Sequence, residues 1–398
     1  MKKMVSLLLV CCLMLLCCVP AFAAPASAVC DGVIIVGFDG LGAMWETVNS
    51  PNFDRIFKNG GAYRYNAKTE TVTISAQNWG SILTGVDADT HGITNSSAGQ
   101  QERTADTDCK TVFNYARQAF PNARLVSYNH WYTINHGIIE TDIGVEKYDD
   151  RNSPYDDQGP HIAQWVVDDL RTKELPKLMF VHFDAPDHAA HAYGADSDQY
   201  KQACMTADTQ LGQIYDAAAE SGFLTHGLLI VVADHGEIGY GHGGQSVPES
   251  SVVLGVAGAG VNKGVLPETV RNRDVAAIVL YALGIEQPAQ MIAVVPEGLF
   301  QSQTAAPHTH DYGEGAVHEQ PTCTGQGTMV RVCRICGDVQ YDPIAPRGHK
   351  DADSDGKCDV CGAVTDSSKS AKTDISNFFA SIRDFFVRWF QWLKNLFR

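Results

Sequence analysis

The residues of this chain that can do chemistry are aspartates and histidines that follow apolar segments. Asp39 and Asp234 each come directly after an apolar run, and His235 follows the second of them. Asp187 and His191 are four residues apart, so both side chains share one face if a helix begins at Asp187. Carboxylate and imidazole groups are ligands for zinc and manganese. The spacing therefore predicts a centre that binds divalent cations.

A glycine-rich segment adds one more histidine to this cluster. His242 lies between Gly241 and Gly243, and these glycines allow the backbone to approach closely. Adjacent Asp and His residues at a strand end can point to opposite sides of a pocket, which two neighbouring cations could share. Three nearby residues are predicted not to bind the cations directly. His182 is predicted to be a strand residue whose side chain already has hydrogen-bond partners, and Asp184 to cap a helix or to accept a hydrogen bond from a ligand. His188 is predicted to lie on another face of the helix.

The hydroxyl group of Ser75 supplies a candidate nucleophile. Residues 71–85 begin extended and continue as a predicted helix, so Ser75 lies at a helix N-terminus. Backbone N–H groups and the helix dipole favour a phosphate at that position, and Asn78, one turn further on, can donate to a phosphate oxygen. Taken alone, Ser75 is more typical of a helix N-cap. The nucleophile prediction therefore depends on the acidic and imidazole clusters.

Short apolar runs alternate with amphipathic stretches over residues 29–300. Strands are predicted at 33–38, 125–128, 178–183, 228–232 and 252–256, and helices at 161–170, 199–219 and 272–283. This alternation predicts an α/β fold with a mostly parallel sheet sandwiched by helices, and about 270 residues are enough for one hydrolase domain. Ligands bind at the carboxyl ends of strands in such sheets, so we expect the acidic clusters to meet there.

The first 28 residues are predicted to be a signal peptide. Lys2 and Lys3 precede an unbroken apolar run at 5–19, and small residues at 20–28 offer cleavage sites. The mature protein is therefore expected to be secreted or extracytoplasmic. Export permits disulfides, and Cys109 with Cys204 is one candidate pair. The formal net charge of −16 argues against nucleic-acid binding beyond a nucleotide substrate. It suits cation loading, and it is equally typical of ordinary solubility charge.

The composition changes after residue 300. Residues 301–307 are a predicted linker, and residues 308–365 have few apolar side chains but many Cys, His, Asp and Gly. Two Cys-x-x-Cys pairs resemble the knuckles of a zinc ribbon and predict a structural zinc site, with the ligands Cys333, Cys336, Cys358 and Cys361. The alternatives are two disulfides, or a site that joins the first pair to His308, His310, Cys323 and His349. Residues 351–356 resemble the start of a calcium loop, although Gly362 stands where that loop needs Glu.

Residues 374–398 are predicted to form an amphipathic helix. Aromatic and aliphatic residues recur on one face, and the basic residues are Arg383, Arg388, Lys394 and Arg398. This segment is too charged to span a bilayer but suits an anionic membrane surface, which would associate the protein with the cell surface. Packing on the hydrolase domain and self-association are equally consistent with the pattern.

The order of these segments resembles the alkaline phosphatase superfamily, most closely its type I nucleotide pyrophosphatase/phosphodiesterase branch. That branch has an early Phe-Asp-Gly, a Thr or Ser nucleophile three residues before an Asn, and a Thr-Gly that closes the helix. An Asp-x-x-x-His follows mid-chain and an Asp-His-Gly comes late. Residues 31–260 contain these features in order: Asp39, Ser75 with Asn78, Thr84-Gly85 followed by His91-Gly92-Ile93, Asp187 with His191, and Asp234-His235-Gly236.

The resemblance implies an exported two-metal hydrolase of phosphoric esters with a phosphoseryl intermediate. The cation that activates Ser75 would be bound by Asp39, Asp234 and His235, with Ser75 itself as a further ligand. The cation facing the leaving group would be bound by Asp187, His191 and a further histidine, for which His242 is the candidate. The implied metal is zinc at both positions, with manganese or magnesium as alternatives.

The substrate is expected to be a small phosphate ester, and a phosphodiesterase or nucleotide pyrophosphatase is favoured. The alternatives are a phosphomonoesterase of the alkaline phosphatase type and a catalytically degenerate surface-binding protein. Sulfatases of the superfamily need a Cys/Ser-x-Pro-x-Arg motif, which is absent around Ser75. The nucleophile segment also departs from the branch, because Ser75 replaces the usual Thr and Ala76-Gln77 replaces Phe-Pro.

Overall fold

The computed structural model describes residues 28–151, 160–301, 312–333 and 339–365. Its strands, in chain order, are β1 (Gly32–Phe38), β2 (Ala62–Lys68), β3 (Leu125–Asn129), β4 (Glu146–Asp149), β5 (Leu178–Phe183), β6 (Gly227–Ala233), β7 (Ser251–Gly258), β8 (Gly264–Val265), β9 (Ala316–Glu319), β10 (Gly327–Val332) and β11 (Val339–Ile344). Five predicted features lie outside the described residues: residues 1–27 of the signal peptide, most of the 301–307 linker, the side chains of His308 and His310, Cys336, and the C-terminal helix.

Helices connect most of these strands. They are α1 (Pro51–Phe53), α2 (Ser75–Thr84), α3 (Ala88–His91), α4 (Asn95–Gln100), α5 (Val112–Ala119), α6 (Thr133–Gly137), α7 (Pro160–Thr172), α8 (Ala185–Tyr193), α9 (Asp198–Glu220), α10 (Phe223–His226), α11 (Val247–Ser250) and α12 (Asp274–Ala282). None of the helices in these ranges combines the length and apolar character that crossing a membrane requires.

The first eight strands form one mixed sheet in the order β4-β3-β5-β1-β6-β7-β2-β8. Strands β4, β3, β5, β1 and β6 are parallel to one another, and β7 runs antiparallel to both of its neighbours. Every residue of β1, β5 and β6 is buried, which is typical of strands covered by helices on both faces. The predicted mostly parallel sheet with flanking helices is confirmed.

The sequence pattern missed several features. Strands β2, β4 and β8 were not predicted, and neither was the reversed direction of β7. The candidate disulfide is wrong, because Cys109 and Cys204 are both free thiols. Cys204 is fully buried within α9, whereas Cys109 is partly exposed in the segment before α5.

The chain separates into two compact units, with boundaries at residues 316, 330 and 340. The first unit contains the eight-stranded sheet. Among the described residues, the second contains residues 317–330 and 341–365. Strands β9, β10 and β11 form a separate sheet in the order β11-β10-β9. The predicted boundaries at 300 and 308 remain predictions.

A buried histidine fixes α2, the helix that begins at Ser75. The Nε2 atom of His91 lies 3.0 Å from the carbonyl oxygen of Gln77, and its Nδ1 atom accepts the N–H of Ile93 at 2.9 Å. A carbonyl can only accept, so this geometry selects the neutral ring with its proton on Nε2. Burial lowers the pKa of His91 to about 4, against the opposing effect of the Gln77 hydrogen bond.

His91 should therefore make the protein less stable in mild acid. The imidazole of His91 takes up a proton near pH 6.5 in the unfolded chain but only near pH 4 in the folded chain. Stability therefore falls as pH falls through this window. The loss at pH 5 is about 2 kcal/mol relative to pH 7. Urea unfolding with chelator present should show a smaller loss for His91→Gln than for the parent. Equal losses in the two proteins would contradict this assignment.

Candidate active site

The parallel register of three strands brings three aspartates to one edge of the sheet. Phe38, the last residue of β1, pairs with Phe183 of β5 and Ala233 of β6. The next residue in each strand is an aspartate: Asp39, Asp184 and Asp234. Because parallel strands end at the same edge, the predicted convergence at the strand carboxyl ends is what the structure shows.

The imidazole of His235 is the centre of one group of candidate ligands. Its Nε2 atom lies 3.1 Å from Asp234 Oδ2, 3.3 Å from Asp39 Oδ1 and 3.2 Å from Ser75 Oγ. All four residues are buried. Asp39 Oδ1 and Asp234 Oδ2 accept no hydrogen bond from the described residues. Buried carboxylate oxygens without donors are costly, and a cation would satisfy them. This group fits one divalent cation.

Asp187 is the centre of a second group. Its Oδ1 atom lies 3.4 Å from the Nε2 atoms of both His191 and His242. The Nδ1 atoms of these rings face the carbonyl oxygens of Tyr240 at 3.0 Å and Thr73 at 2.5 Å. The carbonyls hold the ring protons on Nδ1, which leaves both Nε2 lone pairs directed to the site, as in metal-binding histidines. Asp187 Oδ1 accepts no hydrogen bond from the described residues either.

The two groups are close together. The rings of His235 and His242 stack with centroids 3.7 Å apart, and the rings of His191 and His242 are 5.2 Å apart. The structure therefore brings all seven predicted metal ligands together, namely Asp39, Ser75, Asp187, His191, Asp234, His235 and His242. Ligand atoms of Asp187, His235 and His242 also lie within 4.8 Å of one another and of a carboxylate oxygen of Glu237.

Glu237 was missed by the sequence analysis. It is buried, and its Oε1 atom lies 3.4 Å from His235 Nδ1. Burial raises the pKa of Glu237 to about 8, although the imidazole of His235 opposes this shift. The available signal was its position two residues after His235 in the Asp-His-Gly-Glu segment, which places it near the same strand end.

The carboxylates of the site compete for a limited amount of positive charge. Burial disfavours a charge on Asp39, but the imidazoles of His182 and His235 outweigh this effect and hold the pKa of Asp39 well below its usual range. Burial, together with the charge of Asp39, raises the pKa of Asp234 well above its usual range. Burial and the neighbouring carboxylates also raise the pKa of Asp184. The site thus has more acidic groups than its imidazoles can balance.

Two N–H donors orient Asp39. Its Oδ2 atom accepts hydrogen bonds from Trp79 Nε1 at 2.9 Å and from His182 Nε2 at 3.1 Å. These bonds turn Oδ1 toward His235. The indole of Trp79 packs so closely on β1 that a Cβ atom at Gly37 would lie 2.4 Å from it. Trp79 also belongs to α2, so one side chain joins the helix of Ser75 to a metal-ligand candidate. The sequence pattern alone does not mark Trp79 as a site residue.

The amide group of Asn78, which the sequence predicts as a phosphate donor, donates to backbone carbonyls in the structure. Asn78 is fully buried, and its Nδ2 atom donates to the carbonyls of Val72 at 2.7 Å and Ile74 at 3.3 Å. The backbone N–H of Ala76 donates to Asn95 Oδ1 at 2.9 Å. Asn95, the first residue of α4, is exposed and was not predicted as a site residue. The role of Asn78 as a phosphate donor stays a prediction.

Comparison with known proteins agrees with this fold. The family model for "Type I phosphodiesterase / nucleotide pyrophosphatase" matches residues 33–239, which is just over half of the chain. The fold is that of the alkaline phosphatase superfamily. The chain belongs to the type I phosphodiesterase/nucleotide pyrophosphatase family.

Individual relatives are distant. Ectonucleotide pyrophosphatase/phosphodiesterase family member 1 of Mus musculus is 22% identical over 194 residues, which cover 45% of this chain and 21% of the relative. The chain thus matches about a fifth of the length of that relative. Murine ectonucleotide pyrophosphatase/phosphodiesterase 5 has a similar fold, with a TM-score of 0.51, 14% identity and coverage of 65% of this chain and 96% of that one. A 2-O GAG sulfatase superposes with a TM-score of 0.53, 12% identity and coverage of 90% and 92%.

Removing the indole N–H of Trp79 should weaken metal binding. In Trp79→Phe the ring packing is largely kept, but Asp39 loses one of its two orienting donors. Loss of such an outer hydrogen bond costs about 10- to 100-fold in metal affinity. Zinc affinity, measured by competition with a chromophoric chelator, should fall by this factor.

Trp45→Phe is the matched control. Trp45 is also buried, and its Nε1 atom donates to the carbonyl of Cys204 at 2.8 Å rather than to a candidate ligand. Its removal should leave zinc affinity unchanged. An equal loss in both variants would mean that general destabilisation, and not the orientation of Asp39, lowers the affinity.

Proposed function

We propose that this chain is a metal-dependent hydrolase of phosphoric esters that cleaves phosphodiester or pyrophosphate bonds through a phosphoseryl intermediate. The observation that carries this proposal is the position of Ser75 Oγ, 3.2 Å from His235 Nε2 in the cluster that contains Asp39 and Asp234. Family membership supports the reaction class. The phosphodiester preference rests on the family description and on the names of the similar proteins.

The residues present fit two cations. Asp39, Asp234, His235 and Ser75 would hold one, and Asp187, His191 and His242 the other. Zinc is the proposed ion, because mixed carboxylate and imidazole ligands suit it; manganese and magnesium are alternatives. When bound, the cations would lower the pKa of the Ser75 hydroxyl and offset charge on the leaving oxygen.

The protein groups themselves would position and hold the substrate. Ser75 Oγ would lose its proton to solvent and attack phosphorus, forming a serine–phosphorus ester bond while the bond to the leaving oxygen breaks and that oxygen takes up a proton. Water would then cleave the serine–phosphorus bond, returning the Ser75 hydroxyl and releasing the part of the substrate that carries the phosphate. Ser75 is the first residue of α2, whose N-terminal N–H groups and dipole favour the phosphate.

Asn95 is the proposed donor to a phosphate oxygen. Its Oδ1 atom accepts the Ala76 N–H next to the nucleophile, so its Nδ2 group lies nearby with two protons to donate. Its exposure leaves room for a substrate. The donors of Asn78, in contrast, already bind two backbone carbonyls. A phosphate bound by Asn95 would leave the hydrogen bonds of Asn78 within the α2 segment intact.

The compartment and substrate class complete the proposal. The predicted signal peptide supports a secreted or extracytoplasmic enzyme, and so does the prefix "ecto" in the names of the relatives. Its substrate would be a small phosphate ester, with nucleotides among the candidates. Association with a membrane surface through residues 374–398 stays a proposal based on the sequence pattern.

Substitution of the nucleophile is the direct test of the proposal. Ser75→Ala should lower kcat on a chromogenic phosphodiester by at least about 10³-fold, because no other hydroxyl reaches His235 Nε2 among the described contacts. Metal content should be retained through the carboxylates and imidazoles. Ser81→Ala, on the same helix and in contact with His91 rather than the site, is the control and should stay active.

The same assay separates the alternatives. The parent enzyme should prefer bis(p-nitrophenyl) phosphate to p-nitrophenyl phosphate, lose activity with chelator and regain it with zinc. A preference for the monoester would identify a phosphomonoesterase. An inactive metal-replete parent would favour the binding-protein alternative, and an active Ser75→Ala would remove Ser75 from the mechanism.

Replacing the two asparagines should separate binding of the phosphate from support of the helix. Asn95→Ala should lower kcat by about 10²- to 10³-fold, the usual effect of losing one transition-state donor, with little change in Tm. Asn78→Ala should lower Tm, because it frees the carbonyls of Val72 and Ile74. A normal kcat for Asn95→Ala, with a strong kcat loss and unchanged Tm for Asn78→Ala, would instead support the sequence-based assignment.

A further inference from the structure

The second compact unit contains its own group of metal-type ligands. The members are three cysteines and one histidine, namely Cys323, His349, Cys358 and Cys361. One ligand atom from each lies within 4.8 Å of all the others. Cys323 and Cys358 are buried, whereas His349 and Cys361 are exposed. A set of three thiols and one imidazole is a standard donor set for structural zinc.

The sulfur separations fit a metal site and not a disulfide. Cys323 Sγ lies 3.7 Å from Cys358 Sγ, whereas a disulfide bond is about 2.05 Å long. Two sulfurs bound at about 2.3 Å to a tetrahedral zinc ion are about 3.8 Å apart, which is close to the observed spacing. Cys361 Sγ and His349 Nδ1 are 3.3 Å apart. All of these cysteines are free thiols.

Backbone hydrogen bonds hold the ligands in this arrangement. The N–H of Gly362 donates to the carbonyl of Cys358 at 2.8 Å, and Gly362 has φ +72, a left-handed turn that closes the Cys-x-x-Cys segment. The N–H of Gly348 donates to the carbonyl of Cys323 at 3.1 Å, which places His349 beside that cysteine. Cys323, the ligand most distant in sequence from the others, is therefore held in place by a main-chain hydrogen bond.

We propose that Cys323, His349, Cys358 and Cys361 bind one structural zinc ion that stabilises the second unit. Four protein ligands close the coordination sphere and leave no position for a substrate. Residues 308–365 have few apolar side chains, and small segments of this kind need a disulfide or a metal to fold. Zinc binding would displace the thiol protons, so its free energy would contribute directly to folding.

This ligand set differs from the zinc ribbon predicted from the sequence. Cys358 and Cys361 belong to both sets. Cys333 is not in the observed group, and its main chain pairs with Tyr312 in an isolated bridge. Cys336 lies outside the described residues. The proposed set has Cys323 and His349 in place of the first Cys-x-x-Cys pair, whereas the sequence pattern offered these two residues only as companions of that pair.

Cobalt substitution of the full mature chain provides a selective test. Cobalt(II) bound by thiolates shows intense sulfur-to-metal charge-transfer absorption, and the candidate active-site ligands include no cysteine. The band therefore reports the second unit alone. Cys361→Ser and His349→Ala, at exposed positions, should lose the band or shift it strongly, and bound zinc should fall by one ion per chain. Hydrolysis of a phosphodiester should be unaffected.

Three control variants keep the result interpretable. His349→Cys should retain the band, because a Cys₄ site binds the same metal, and this rescue separates ligand loss from misfolding. Cys109→Ser should behave as the parent. Cys333→Ser should keep the band if the observed set is correct. Loss of the band in Cys333→Ser with full retention in His349→Ala would overturn the proposal in favour of the ribbon. A disulfide joining Cys323 to Cys358 in the purified chain would overturn it altogether.

Discussion

The parallel register of β5, β1 and β6 is the constraint on which the active site depends. These strands are buried along their whole length, so a slip of one residue would require all their side chains to exchange faces. The register is fixed further by the contact between Gly37 and the Trp79 indole, which leaves no room for a Cβ atom. Because the strands cannot slip, the three aspartates that follow them must lie together.

This convergence has an electrostatic cost. Oxygen atoms of Asp39, Asp187 and Asp234 are buried and accept no hydrogen bond from the described residues. Buried ionised carboxylates are strongly disfavoured unless positive charge compensates them. Cations that bind only the folded state would then stabilise it by mass action, so metal loading and stability are linked.

The sequence was sufficient to predict the features that are local along the chain. Apolar runs identified the central strands, and an aspartate directly after a strand needs no further information to be placed at the sheet edge. The contacts of Trp79 and Asn95 with the site could not be predicted in this way. Each depends on how a helix or loop packs against residues distant in sequence. The reversed direction of β7 was missed for a similar reason, because a fully buried apolar strand has the same pattern in either direction.

The contacts of Asn78 show why spacing along a helix is an incomplete guide to the role of a side chain. Asn78 has the position in sequence that a phosphate donor would need, one turn after Ser75. An amide inside the first turn of a helix, however, also meets unpaired backbone groups. Asn78 binds the carbonyls of Val72 and Ile74 and accepts the N–H of Glu70 at 3.1 Å. Because Asn78 is buried, breaking these hydrogen bonds would leave polar groups unsatisfied and would cost folding free energy. Asn95 is exposed and accepts only the N–H of Ala76 among the hydrogen bonds given above, so it suits a ligand that must enter and leave.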